Sequence, residues 1–301
     1  MTAAVADARP FDVPLADGRT LHAFETGDPD GVAVVYHHGT PTSGLQARTW
    51  ADDAAAKGIR LLSYDRAGYG ESTRHTGRSV ADIAADIAGL LDHLGIDRFH
   101  TWGVSGGGPH TLACAALLPD RVISAATIAS AAPYDAEGLD FLGGMGQGNI
   151  EEFGAAIAGE EQLRPFLDKE REAMRDSTPE GLLDVLESLL PPVDKAALTG
   201  ARAQFVHAAS SYGLTHGVDG WLDDDFAFVK PWGFDVADIR VPLRVMQGEQ
   251  DLMVPYAHGT WLVGQIPDVE PVLSPEDGHI SLAEKFGEVH DWLLAHGSSG
   301  I

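Results

Sequence analysis

The sequence predicts an α/β fold, a mostly parallel sheet flanked by helices, with a helical segment inserted into it. Three observations predict this. Short continuous apolar runs, such as Val32 to Tyr36 and Ile59 to Tyr64, alternate with stretches whose apolar residues recur at helical spacing. Such runs suit strands buried on both faces, and strands alternating with helices imply a parallel sheet covered on both sides. Second, Gly103-Val104-Ser105-Gly106-Gly107 lies between an apolar run, Phe99 to Val104, and a helix-forming run, Thr111 to Leu118. Third, the strand rhythm stops near Pro133 and resumes at Val241, with only helical patterns between.

Met1 to Pro10 lacks a basic region followed by an apolar one, so no secretory signal is expected. Phe11 to Gly27 reads as a hairpin turning at Asp17-Gly18, and Thr20 to Phe24 alternates like an edge strand. The run Val32 to Tyr36 ends at His37-His38-Gly39-Thr40-Pro41, and Ile59 to Tyr64 leads into Asp65-Arg66-Ala67-Gly68-Tyr69-Gly70-Glu71-Ser72. Ser79 with Asp82 forms a capping-box pattern, behind which Ile83, Ile87, Leu90, Leu91 and Leu94 share one helical face. The strand before Ser105 and the helix after it follow, then a strand over Val122 to Ile128.

Helical patterns cover Ile150 to Ile157, Gln162 to Met174, Pro179 to Leu190 and Lys195 to Ser210. The glycine-rich run 143–148 follows no clear strand and lacks the spacing of a dinucleotide fingerprint, so it reads as a flexible part of the insertion. Two further strands are expected over Val241 to Gln247 and Val269 to Leu273, with a helix from Ile280. The resulting division is a core over 1–133, a helical cap over 134–233 and the rest of the core over 234–301. The tail from His296 to Ile301 reads as disordered.

Composition narrows the possible partners. Lys and Arg number 20 against 45 Asp and Glu, a formal charge of −25. Such a surface repels nucleic acid and anionic membranes, so neither is an expected partner, and a small-molecule substrate is. No apolar run approaches the ~20 residues that span a bilayer. The single cysteine, Cys114, excludes an internal disulfide, fits a reducing compartment and so a cytoplasmic location, and reads as a buried small hydrophobe. No phosphate-loop lysine and no H-E-x-x-H occurs, so no cofactor or metal is implied; oligomeric state is not legible.

The chemistry centres on Ser105. Strand, tight turn and helix would hold its hydroxyl clear of the backbone, with small residues at Gly103 and Gly107 where strand and helix pass closely. A serine hydroxyl is a weak nucleophile until a base removes its proton, and that base needs a third group to orient it. Gly248-Glu249-Gln250-Asp251 directly follows one strand, and Ser274-Pro275-Glu276-Asp277-Gly278-His279 follows another. Asp251 and His279 would therefore sit at the carboxyl edge of the sheet, beside Ser105. Glu249 competes for the acid's role, but reaching the imidazole needs residues further beyond the strand. Of the 13 histidines, His258, His290 and His296 read as helical and surface-bound, His207 and His216 fall in the insertion, and His110 points away from the turn. Asp65 reads as fixing its own loop. For a developing oxyanion, the expected donors are the backbone N–H groups of Gly106 and Thr40, with the His38 side chain a satisfied core histidine.

Taken together, His38-Gly39-Thr40-Pro41, the segment from Asp65 to Ser72, the Gly103–Gly107 pentapeptide, Asp251 and Asp277-Gly278-His279 resemble the α/β-hydrolase superfamily. The resemblance implies the chain order nucleophile, acid, base, here Ser105, Asp251 and His279. It is nearest to the capped esterase, epoxide-hydrolase and proline-iminopeptidase-like branch. Epoxide hydrolases and haloalkane dehalogenases carry Asp at the elbow, where this chain has Ser105. Proline iminopeptidases usually show Gly after the His-Gly pair and Trp before the nucleophile, where this chain has Thr40 and Val104. The expected function is hydrolysis of a small neutral or cationic carboxylic ester or related acyl bond. An aminopeptidase, a C–C bond hydrolase, or a binding or lyase-type protein on the same fold are the alternatives. An aminopeptidase would require acidic residues such as Glu151, Glu152 or Asp223 to Asp225 to face the pocket.

Overall fold

The computed structural model describes residues 3–297. Eight strands form one sheet in the order β1-β2-β4-β3-β5-β6-β7-β8. The strands are β1 (Arg9–Pro14), β2 (Thr20–Gly27), β3 (Val32–His37), β4 (Ile59–Tyr64), β5 (Phe99–Val104), β6 (Val122–Ile128), β7 (Leu243–Gly248) and β8 (Glu270–Ser274). The expected hairpin of β1 and β2 makes the antiparallel edge, and every pairing from β4 onward is parallel.

Successive residues of a strand point to opposite faces. In the central strands both faces are buried. Val35, Leu62 and Ala125 enter one core with Leu90 and Leu112, while Val34, Leu61 and Ala126 enter the other with Trp50 and Leu293. Helices α1 (Arg48–Ala56) and α12 (Phe286–Gly297) cover the second face, and α2 (Ile83–Leu94), α3 (Gly107–Leu117) and α10 (Tyr256–Gln265) cover the first. The capping box of Ser79 and Asp82 is formed, and Ser79 N–H donates to Asp82 Oδ2 at 2.7 Å. Cys114 is fully buried on α3, and burial pushes its thiol well up.

Between β6 and β7 the described residues form helices and no strand: α4 (Gln147–Ala158), α5 (Glu160–Asp176), α6 (Leu182–Val185), α7 (Pro192–Ala197), α8 (Gly200–Gly213) and α9 (Asp219–Phe228). Several local expectations need correction. The stretch Pro179 to Leu190 is not one helix but the short α6 and a 3₁₀ turn over Glu187–Leu189. Lys195 to Ser210 breaks at Leu198, where Gly200 takes a left-handed φ of 52° that starts α8 afresh. The run 143–148 is used for close packing: a Cβ on Gly146 would collide with the Ser188 carbonyl as α4 begins. Helix α9 was not expected at all. His258 and His290 are fully buried rather than surface-bound: His258 accepts from Ala132 N–H at 3.1 Å, and His290 Nδ1 pairs with Asp53 at 2.7 Å. His296 is half-buried and ends α12 with Gly297; the remainder of the tail read as disordered lies outside the described residues.

Candidate active site

The tight turn after β5 is built as the glycine spacing demands. Ser105 has a φ of 56°, a left-handed conformation that costs a non-glycine residue about 1–3 kcal/mol. Two backbone bonds hold it there: Ser105 N–H donates to Ile128 O at 2.9 Å, and Gly108 N–H donates to Ser105 O at 2.8 Å. A Cβ on Gly103 would strike the Gly107 carbonyl and the Thr111 hydroxyl, and one on Gly107 would strike the His37 carbonyl. Both glycines are there because strand, turn and helix leave no room for a side chain.

The last two parallel strands deliver the other two residues. Asp251 follows β7 and His279 opens α11 (His279–Ala283) after β8. His279 Nδ1 lies 2.8 Å from Asp251 Oδ2, and both residues are buried. The acid is itself held: its Oδ1 accepts from Met253 and Val254 N–H at 2.8 Å each, and its Oδ2 from Gln247 Nε2 at 3.2 Å. Glu249 is exposed and plays no such part. Burial alone would lower the affinity of His279 for a proton, but the charge of Asp251, its hydrogen bond and the charge of Asp194 together hold its pKa above the ordinary value. His110 is turned away, donating from Nδ1 to the Gly106 carbonyl at 2.8 Å.

The loop after β3 meets the turn. A Cβ on Gly39 would touch Ser105 Cβ at 3.4 Å, and one on Gly106 would collide with the Thr40 side chain. The Gly39 carbonyl accepts from His38 Nδ1 at 2.7 Å, Thr42 Oγ1 at 2.8 Å and Thr42 N–H at 3.1 Å. In a trans peptide the N–H points opposite the carbonyl, so these three donors turn the Thr40 N–H away from His38 and Thr42. His38 is a satisfied core residue, accepting at Nε2 from Arg66 N–H at 3.1 Å, and burial with the Arg66 charge keeps it neutral. Asp65 does more than fix its own loop. It accepts from Glu71 N–H at 3.2 Å and from Gly44 N–H at 2.8 Å, tying the loops after β4 and β3 together.

Ser105, Gly106, Thr40 and His279 border one cavity of about 410 Å³. Its far wall comes from the helical segment and is mostly apolar, including Met145, Phe153, Phe166, Leu186, Trp221 and Phe228. The acidic residues divide. Glu151, Glu152, Glu170 and Asp225 line the cavity, whereas Asp223 pairs with Arg74 at 2.7 Å and Asp224 with Arg66 at 2.6 Å. Half-buried Glu152 accepts from Trp221 Nε1 at 2.7 Å. Burial, eased by the bond from Trp221, pushes Glu152 up to about 7. Asp225 is fully buried with neither carboxyl oxygen accepting a hydrogen bond, and burial and then the Glu152 charge push it well above the carboxylate range.

Sequence reasoning missed Asp194 altogether and gave Asp224 only a place at the pocket, which it does not line. Asp224 accepts from Arg66, Tyr69 and Thr40, the last by Oγ1 at 2.7 Å, pairs with the Arg78 charge at 2.8 Å, and so clamps the loop bearing Thr40 to α9. Asp194 accepts from three N–H groups at the start of α11. Neither has a local signal, because each acts on residues far away in sequence.

A serine on a strand–turn–helix, a buried Asp–His pair at the same sheet edge and a walled cavity define the class: an enzyme of the α/β-hydrolase superfamily. The model of the alpha/beta hydrolase fold family matches residues 32–286, and the chain belongs to that family, a hydrolase of the α/β fold. Among curated relatives, a non-heme chloroperoxidase of Streptomyces lividans is 26% identical over 250 residues, 81% of this chain and 83% of that protein. A proline iminopeptidase of Xanthomonas citri is 37% identical over 103 residues, 33% of each chain. An esterase from Rhodococcus shares the fold with a TM-score of 0.68 at 20% identity, over 97% of this chain and 99% of that one. Among the described residues, no helix is long and apolar enough to cross a membrane.

Proposed function

We propose that the protein is a serine hydrolase that cleaves a small carboxylic ester or related acyl bond through an acyl-enzyme, with helical residues 134–233 as its cap. The observation that carries this is the buried 2.8 Å contact between His279 Nδ1 and Asp251 on the cavity that Ser105 borders. With Nδ1–H donating to Asp251, Nε2 is the free base. It takes the Ser105 proton as Oγ attacks the acyl carbon, then gives that proton to the departing alcohol. Water deacylates the serine by the same path in reverse, releasing the carboxylic acid. The N–H groups of Thr40 and Gly106, which make no hydrogen bond among the described residues, receive the oxyanion. The test is turnover of p-nitrophenyl esters of graded acyl length by the unaltered protein and by Ser105→Ala. Ester turnover that survives the substitution refutes the reading.

A second reading concerns the acyl group. Glu152 and the unpartnered Asp225 place a desolvated carboxyl pair on an otherwise apolar wall. Two such carboxyls cannot both ionise without a cation, and a protonated amine on the substrate would supply one. This supports a cationic, amine-bearing acyl substrate, the chemistry that the name of the Xanthomonas relative also carries. Its test is the ratio of kcat/KM between an aminoacyl ester or amide and the same substrate lacking the amine. A ratio below one in the unaltered protein, unmoved by Glu152→Gln, would refute it.

A further inference from the structure

Asp194 lies on α7, inside the helical segment and 85 positions before His279. Its carboxylate is fully buried. Oδ2 accepts from His279 N–H at 2.7 Å, while Oδ1 accepts from Ile280 N–H at 3.0 Å and Ser281 N–H at 2.9 Å. The first N–H groups of a helix have no partner inside it. Helix α11 has five residues, so three of its five N–H groups depend on this one carboxylate. Hydrogen bonds to an ionised acceptor are shorter and stronger than neutral ones, and three in succession fix both the position and the tilt of the backbone. Gly278 completes the fit, since a Cβ there would collide with the Asp194 carboxylate.

We propose that Asp194 is a positioning residue for the reaction, holding the His279 backbone so that the imidazole meets Asp251 on one side and faces the cavity bordered by Ser105 on the other. The base is thus set from two directions: its ring by the loop after β7, its main chain by the cap. A cap that carried only specificity could move without touching the chemistry. Here a displacement of α7 pulls on His279 directly, so the cap is part of the catalytic centre. This inference rests on the serine-hydrolase reading, because it takes His279 as the base.

The test uses the whole chain, residues 1–301. In the unaltered enzyme, hydrogen exchange should show the amides of His279, Ile280 and Ser281 strongly protected; exchange as fast as in open loops overturns the proposal. Asp194→Asn keeps the shape but turns an N–H₂ group toward the His279 N–H. It should lower kcat on the order of 10–100-fold, as misplacement of a reacting group by about 1 Å does, with KM within about threefold. The two carboxylates facing His279 are Asp251 and Asp194. Losing one negative charge destabilises the imidazolium, so the acid limb of kcat/KM should also move to lower pH. A purely structural role would lower stability and leave that limb in place. If Asp194→Asn does not fold, Gly278→Ala, which pushes the same carboxylate aside, replaces it for the kcat comparison. A folded variant with unchanged kcat and acid limb overturns the proposal. Fluorophosphonate labelling of Ser105 in the unaltered enzyme is run alongside: its absence refutes the hydrolase reading, whereas labelling with indifferent variants refutes only the role of Asp194.

Discussion

The cavity has two sides that are built by different means. On the sheet side, Ser105, Asp251 and His279 follow the ends of β5, β7 and β8, and bonds to neighbouring backbone hold the first two, Ser105 through its own main chain and Asp251 through its carboxylate. On the helical side, Asp194, Asp224 and the pair Glu152 and Asp225 act across long sequence separations, through buried carboxylates that meet partners elsewhere in the fold. On the proposed reading, the first side carries bond making and breaking. On the same reading the second carries selectivity, and it grips the first at two points, the His279 turn and the Thr40 loop. Reaction type and substrate choice are therefore separable only in part.

The largest expected effect falls on the sheet side. Ser105→Ala should lower kcat by roughly 10⁴- to 10⁶-fold, as removal of one member of such a triad does, with circular dichroism unchanged because a methyl group fits the turn. Near-normal turnover would dissolve the distinction between the two sides. Next comes the strongest grip. Asp224→Ala leaves Arg66 and Arg78 buried without their counter-ion, which should cost about 3–5 kcal/mol in urea unfolding. A loss under ~1 kcal/mol would mean that the ion cluster on α9 is not what holds the Thr40 loop.

These two residues also show what could be read from the chain and what could not. Ser105 was legible because everything that makes it special is local: an apolar run, glycines at close approaches, a helix. The strands were legible for the same reason, each being a continuous apolar run buried on both faces. Helix α9 was not. Its Asp223-Asp224-Asp225 triplet reads only as acidic residues that an aminopeptidase would need at the pocket, yet all three are buried, Asp223 and Asp224 against Arg74 and against Arg66 with Arg78, and only Asp225 lines the cavity. His258 and His290 misled in the same way: both ring nitrogens of His258, and Nδ1 of His290, meet partners distant in sequence. Asp251 and His279 fell between these cases: each was visible at a strand end, but their meeting is a fact of the fold.

Selectivity gives the third prediction. If the second reading holds, Glu152→Gln should lower kcat/KM for an amine-bearing ester on the order of 10–100-fold, the worth of a charged hydrogen bond, and leave the amine-free analogue within about threefold. Equal losses on both would place Glu152 on the structural side. The fourth concerns pH. The neutral imidazole is the active form, and Asp251 with Asp194 holds the His279 pKa above its ordinary ~6.5. Activity should therefore be full at alkaline pH and fall as pH drops through a value above that figure. A profile flat from about pH 5 to 8, with chemistry limiting, contradicts a histidine base.

The smallest effect is expected at Thr40, where the two sides touch. Its hydroxyl bonds Asp224 and Arg66, and its N–H is assigned to the oxyanion. Thr40→Ala removes the first and keeps the second, so stability should fall by about 1–3 kcal/mol while kcat changes less than about fivefold. A hundredfold fall in kcat with the fold preserved would make the hydroxyl, not the backbone, the donor.

The central claim is that Ser105 becomes acylated, and it can be observed directly. The unaltered enzyme is treated with a fluorophosphonate, residual ester turnover is followed, and the modified residue is located by mass spectrometry of the peptides. The account predicts one adduct per chain, on Ser105, formed in proportion to the activity lost and slowed by an ester substrate. Inactivation with the adduct on another residue, or undiminished ester turnover by fully labelled protein, would contradict it.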